Sequence, residues 1–242
     1  MHESPPQRAG TAAFERHTVG GVAGWRDGSA AAEVLFLGRS ADGGRDAGLE
    51  IAWGGRERPQ SRMRQVHGAT VLAARPGECG EGDAQVTAVA GLALAVVTAD
   101  CVPVLIAAGD RVAAVHAGWR GFVAGVVAAA LDELGDPTHA IAWIGPAIGP
   151  CCYEVGEEVA APVVARSSAA VRSAGRRGRP HLDLPLAVEI ELARSGVGEI
   201  RRLELCTACH PEILESYRRD GTSAGRNRSL IWLRDGGENQ DG

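Results

Sequence analysis

The feature that most constrains this chain is a near-continuous apolar run from Leu92 to Gly118, "LALAVVTADCVPVLIAAGDRVAAVHAG". It is rich in Val, Leu and Ala and reads as buried strand. Two aspartates divide it. "LALAVVTADC" and "VPVLIAAG" read as a central strand broken at Asp100. "AGD" is a tight-turn signal, and "RVAAVHAG" is the returning neighbour. "EVLFLG" (33–38), "TVLAA" (70–74), "AIAWIG" (140–145), "IRRLELC" and "RSLIWLR" (228–234) read as further strands. "FVAGVVAAALDELG" (122–135) carries apolar residues at helical spacing and ends in Gly135, so it reads as a helix. "GEEVAAPVVARS", limited by Pro162, and "LPLAVEIELARSGV" read as two more helices. "GPAIGPCCY" is punctuated as a loop. Residues 39–62 are rich in Gly and Arg and carry no assignment. Strands and helices mix without strict alternation, and no repeat is present. The expected fold is α/β, a single domain over 1–242 with mixed β-sheet layers flanked by helices, its residues 1–33 partly ordered.

Such a length buries a substantial core without disulfides. No stretch reaches the roughly 18 uncharged apolar residues of a membrane span. The N-terminal segment lacks the basic and apolar regions of a secretory signal. A cytoplasmic location is expected, with the six cysteines as thiols or metal ligands. The net charge of −5 and the lack of a basic run argue against nucleic acid as a partner. There is no lysine, so all 25 basic residues are arginine. That excludes Schiff-base chemistry and a Walker-type phosphate loop. Any anion held by side-chain charge must be held by arginine or protonated histidine.

Three strand-end segments each offer a metal donor: His67 in "RQVHGATV", Cys101 in "TADCVPV" and His116 in "AAVHAGWRG". Glycine sits beside or just behind both histidines, where it permits close approach. Two imidazoles and a thiolate make a zinc set with a fourth position left open, the pattern of a catalytic site. Spacing alone leaves a second reading, three unrelated buried polar residues.

The motifs "QVHGATV", "TADCVPVLI", "VHAGWRG", "IGPAIGPCCYEVGEEV" and "SYRRDGTSAGR" followed by "LIWL" occur in one order over about 65–233. In these the chain resembles the laccase-domain family, also labelled peptidoglycan editing factors and multicopper polyphenol oxidoreductases. Members are associated with purine nucleoside phosphorylase activity. The resemblance implies a Zn²⁺ ion on His67, Cys101 and His116, with a purine nucleoside and orthophosphate as substrates. It implies substrate contacts at Gln65, and at Cys151 and Tyr153 in a loop at the mouth of the site, with Cys206 lining the region. Adenosine deamination is a further activity credited to members. Before residue 60 the likeness fades. Phe36 stands where members carry an asparagine, and "GLEIAWGGRERPQSR" lacks their Asn-Arg pair. A zinc-binding homologue with altered or lost catalysis is therefore the first alternative. Copper-dependent phenol oxidation is the second, set back by having only seven histidines, mostly scattered.

The remaining chemistry-bearing residues have competing readings. "CTACH" (206–210) matches the pattern of covalent haem attachment, which needs export and an axial partner. A CxxC redox or zinc role fits better, although no second CxxC exists to complete a four-cysteine site, and Cys209 reads as incidental. Arg120, ahead of the helix expected from Phe122, is either an anion contact or a brace for the turn. Arg218, Arg219 and Arg226 in "SYRRDGTSAGR" offer a further anion contact, and at least one of them is expected to pair with Asp220. Arg176, Arg177 and Arg179 read as solvated loop. Asp100 is the candidate general acid for purine release. If 98–102 is extended, however, Asp100 and Cys101 point to opposite faces, which favours a supporting role for Asp100.

Overall fold

The computed structural model describes residues 8–9, 14–39, 51–53, 56–175 and 178–235. The apolar run does not continue through Asp100 in one sheet. Ala93–Thr98 and Val102–Ala108 are separate strands, and they belong to different sheets. Asp100 takes φ 90°, outside the extended region, and the chain crosses between sheets there. The first sheet runs in the order Arg8–Ala9, Glu199–Arg202, Ile141–Ile144, Val102–Ala108, Arg111–Ala117, Ala84–Thr87, Val71–Ala73. The second runs Glu15–Val19, Val22–Gly28, Ala32–Leu37, Asn227–Leu233, Ala93–Thr98, Gln60–Arg64, Gly77–Glu81. Both mix parallel and antiparallel neighbours. Helices flank the first sheet, so the architecture is a single α/β domain with mixed sheet layers.

The alternation of side chains explains why the central strands are apolar at every position. In Val102–Ala108, Val102, Val104 and Ile106 face the helix-side core, whereas Leu105 and Ala107 face the core between the sheets. Both faces are covered, so polar residues have no place on the strand. Burying one such side chain as fully as Leu105 contributes about 2 kcal/mol. Two polar ties also cross the inter-sheet layer. Trp143 Nε1 donates to Asp27 Oδ2 at 2.9 Å, and Arg201 donates to the same carboxylate at 2.9 Å. The fully buried Gln85 gives its amide to Ser61 O at 3.2 Å and Ala95 O at 2.8 Å.

The helix expected over 122–135 is two helices, Trp119–Ala124 and Val126–Leu134. Gly125 sits between them at φ 92°, a conformation open to glycine at little cost. The helices at Glu157–Arg166, with Pro162 inside, and at Leu184–Arg194 lie where the sequence indicates. Asp183 caps the latter, accepting from Leu186 N at 2.9 Å. Near the N-terminus, where periodicity gave no strand, Glu15–Val19 and Val22–Gly28 form a hairpin turned on Gly20 and Gly21. Among the described residues no helix is long and apolar enough to cross a membrane. Arg176 and Arg177 lie outside the described residues.

Candidate functional site

The crossing segment brings three distant donors together. His67 follows the second-sheet strand Gln60–Arg64, Cys101 sits at the crossing itself, and His116 is the next-to-last residue of the first-sheet strand Arg111–Ala117. Their donor atoms all lie within 4.8 Å of one another. Cys101 Sγ is 3.9 Å from His67 Nε2, and the two rings meet edge to face at 4.8 Å between centroids. A tetrahedral ion with bonds of about 2.0–2.3 Å holds nitrogen and sulfur at about this separation. The residues present therefore fit a metal of that kind.

The backbone is shaped to this purpose. His67 and Asp100 are the non-glycine residues with positive φ among those described, at 61° and 90°. Such conformations persist only where the surroundings over-determine them. For His67 the surroundings are Asp83. Its fully buried carboxylate accepts the His67 N–H at 2.9 Å, the Gly68 N–H at 2.7 Å and the Val66 N–H at 3.3 Å. The same carboxylate takes His116 Nδ1 at 2.8 Å, which leaves His116 Nε2 for the metal. Gly118 is needed for space, since a Cβ there would lie 2.8 Å from His67 Cδ2 and 3.1 Å from Cys101 Sγ.

The electrostatics follow from this packing. Burial pushes the Cys101 thiol up, but hydrogen bonds and charge from His116 and His67 outweigh it and bring the group down to about 7. Burial would depress His116, yet Asp83 and Cys101 lift it to about 9. Asp83 is raised by burial and lowered more by His116 and the Gly68 and His67 N–H groups, so it stays ionised. In the metal-free chain His116 therefore carries its second proton through neutral pH, and a metal must displace that proton to bind the neutral imidazole beside the thiolate.

The triad opens into a cleft of about 500 Å³. Gln65, Asp100, Tyr153, Arg218 and Arg226, all among the expected site residues, line it, and so do Met63 and Tyr217. Gln65 also braces the wall: its amide donates to Val97 O at 2.7 Å and accepts from Val97 N at 2.9 Å. Asp100 accepts from the Thr207 hydroxyl at 2.6 Å and from the Arg218 N–H at 2.6 Å. It is not extended, so the opposite-faces argument does not apply, and it supports Arg218 instead of a histidine. Arg218 donates to Cys152 O at 3.0 Å and Glu154 O at 2.9 Å, with its guanidinium 5.3 Å from the Tyr153 ring centroid. Tyr153 is pushed up to about 12, first by burial and then by the charge of Cys101. Asp220 pairs with Arg219 at 2.7 Å, and with Arg39 at 3.3 Å.

Three of the expected site residues lie elsewhere. Arg120 is exposed within the first turn of Trp119–Ala124, stacked 4.5 Å from the Trp119 ring centroid and off the cleft lining. Cys151 and Cys206 also lie off that lining and converge with Cys152 and Cys209, their sulfurs within 4.8 Å of one another. Cys209, read from the sequence as incidental, thus stands in a four-cysteine cluster whose other half is the vicinal Cys151-Cys152. Phe36 faces the inter-sheet core and does not line the cleft. Sequence reasoning missed Asp83. Its signal was an acid set between Gly82 and the start of the strand Ala84–Thr87.

Residues 48–234 match the family model described as multi-copper polyphenol oxidoreductase laccase. A Pseudomonas aeruginosa protein named purine nucleoside phosphorylase is 42% identical over 182 residues, covering 72% of this chain and 74% of its own. A Streptomyces coelicolor protein of the same name is 46% identical over 183 residues, covering 71% and 74%. Among solved structures, a Neisseria meningitidis protein superposes with TM-score 0.78 at 28% identity, covering 92% of this chain and all of its own. YlmD of Geobacillus stearothermophilus superposes equally, with TM-score 0.78 at 25% identity over 92% and 99% of the two chains.

Proposed function

This chain belongs to the multi-copper polyphenol oxidoreductase laccase family, and we propose that it is a zinc-dependent purine nucleoside phosphorylase. The observation that carries the reading is one cleft that combines the two-histidine, one-cysteine donor set with two arginines and two tyrosines. The volume suits a nucleoside with an anion beside it. The names of the relatives at 42–46% identity support the same reaction.

Phosphorolysis breaks the bond between C1′ of ribose and the purine nitrogen and forms a C1′–O bond to phosphate. The bonding pair leaves with the purine, which takes up the proton that the hydrogen phosphate gives up as its oxygen bonds to C1′. Arg218 and Arg226 bind and orient the phosphate, since arginine matches its oxygens in pairs. Asp100 is a positioning residue, because both its oxygens are engaged in holding Thr207 and the Arg218 backbone. Tyr153 and the half-exposed Tyr217 offer rings to the purine. Arg120 adds positive field at the rim, acting on Tyr153 from outside the lining. His67, Cys101 and His116 would hold the metal, which when bound supplies a fixed positive charge in the cleft. Zinc is favoured over copper because multicopper oxidation needs several histidine-rich sites, and the other donor cluster among the described residues holds no histidine.

The deciding assay gives zinc-analysed protein inosine, guanosine and adenosine, with and without phosphate. Phosphate-dependent release of the free base is expected. Protein loaded with zinc that releases no base from any of the three would make the chain a catalytically silent homologue. Inosine formed from adenosine without phosphate would make it a deaminase.

A further inference from the structure

The cluster behind the cleft wall has a second, independent chemistry. Cys151 Sγ is 3.6 Å and Cys152 Sγ 3.4 Å from Cys209 Sγ, and Cys206 completes a set within 4.8 Å. All four are free thiols. A disulfide would bring two sulfurs to about 2.0 Å. Four sulfurs at about 2.3 Å from one tetrahedral ion lie about 3.8 Å apart, close to the 3.4 and 3.6 Å that separate Cys209 from Cys152 and Cys151.

The backbone around the cluster is built for a metal knuckle. Cys206 and Cys209 stand in a tight turn, closed by the Cys209 N–H on Cys206 O at 3.1 Å. Gly149 donates its N–H to Cys206 Sγ at 3.3 Å, a bond that favours the thiolate. The turn carrying Cys151 and Cys152 is closed onto Gly149 O at 3.0 Å. The two segments are locked in register, with Thr207 N donating to Ala147 O at 3.0 Å beside a parallel bridge between Ala147 and Cys206. Gly149 is needed in this packing, since a Cβ there would lie 3.3 Å from Cys206 Cβ and 3.4 Å from Cys151 Sγ. No cysteine of the set lines the cleft, and no histidine belongs to it.

We propose that Cys151, Cys152, Cys206 and Cys209 form a structural Zn²⁺ site, separate from the histidine-containing triad. Four protein ligands leave no open position, so its task is structural. It fastens the residues that shape the cleft. Tyr153 follows Cys152 directly, and Thr207, which holds Asp100, follows Cys206. Binding displaces protons from the thiols, so loading weakens in acid.

The test is metal content of the full chain, refolded or purified with Zn²⁺ under a phosphine reductant. Wild type is expected to hold about two zinc ions per chain and Cys101→Ser about one. Adding Cys206→Ser and Cys209→Ser to Cys101→Ser should remove the remainder. Co²⁺ loaded into Cys101→Ser should give the intense visible bands and thiolate charge-transfer absorption of a four-sulfur tetrahedral site. That spectrum needs no change to the cluster, so it stands even where the triple variant fails to fold. A Cys101→Ser chain that takes up no zinc and no cobalt overturns the proposal. So does zinc that survives loss of Cys206 and Cys209, or a disulfide mapped among the four cysteines in zinc-replete protein. None of these readouts involves a nucleoside, so failure of the phosphorylase reading leaves them unaffected.

Discussion

Asp83 Oδ1 takes the Nδ1 proton of His116 at 2.8 Å and the backbone N–H of His67 at 2.9 Å. One oxygen thus sets the tautomer of one histidine and the backbone of another, from the far side of both. Asp83→Asn keeps the shape but loses an acceptor and gains a donor. Zinc affinity should fall by about 10–100-fold, measured by competition with a chromogenic chelator. Asp83→Ala should also cost about 3 kcal/mol of unfolding free energy in the metal-free chain, since it strands buried donors. An unchanged chelator midpoint for the asparagine variant would remove Asp83 from the metal's support.

The metal-free chain should have an unusual pH profile. His116 rises from 6.5 to about 9 on folding, so its contribution is full below pH 6.5 and lost as pH climbs to about 9. Cys101 falls from 9.0 to about 7, so its contribution is full above pH 9 and lost as pH drops to about 7. Between about 7 and 9 the two slopes oppose each other, so the His116–Cys101 pair should add little net pH dependence to the zinc-stripped wild type. Cys101→Ser removes one slope, so its stability should decline as pH rises through that window. Urea titrations at several pH values give the comparison, and equal slopes in the two proteins would contradict it.

Gly118→Ala places a methyl 2.8 Å from His67 Cδ2 and 3.1 Å from Cys101 Sγ. Neither ring nor sulfur has room to withdraw without leaving the donor set. The expected cost is about 1–3 kcal/mol, together with reduced zinc retention on dialysis. Wild-type zinc retention in this variant would mean that the triad tolerates displacement.

Asp27 ties the sheets far from the cleft, through Trp143 and Arg201. Its side chain is only 8% exposed. Asp27→Ala leaves the Trp143 N–H without its acceptor, while Arg201 keeps Gly28 O and Glu199, and should cost about 1–3 kcal/mol. Zinc content should be unaffected. A loss below about 0.5 kcal/mol would show that water replaces the carboxylate.

Much of this was legible in the chain, for reasons that also explain what was not. Val102–Ala108 and Arg111–Ala117 could be read because burial on both faces leaves an apolar signature at every position. The change of sheet at Asp100 could not, because strands in either sheet carry the same signature. The hairpin at 15–28 escaped because Glu15–Val19 is exposed and polar, although the Gly-Gly turn within "TVGGV" was a signal. The triad could be read from its residue types as one of two alternatives, and only the resemblance favoured it, since its members lie 34 and 15 residues apart and only the fold unites them. The cysteine cluster shows the same limit. Half of it was a recognisable CxxC, and the other half was a vicinal pair more than fifty residues earlier.

The crossing between sheets has a consequence for the order of assembly. One histidine arrives on the second sheet, the other on the first, and the cysteine on the strand-to-strand passage between them. Neither sheet alone holds enough donors to retain an ion against the solvent. Capture of a metal by the triad would therefore be a late event in the life of the nascent chain, following the docking of the two sheets. An ion so held would act as a kinetic latch, slowing the parting of the layers from which its ligands came.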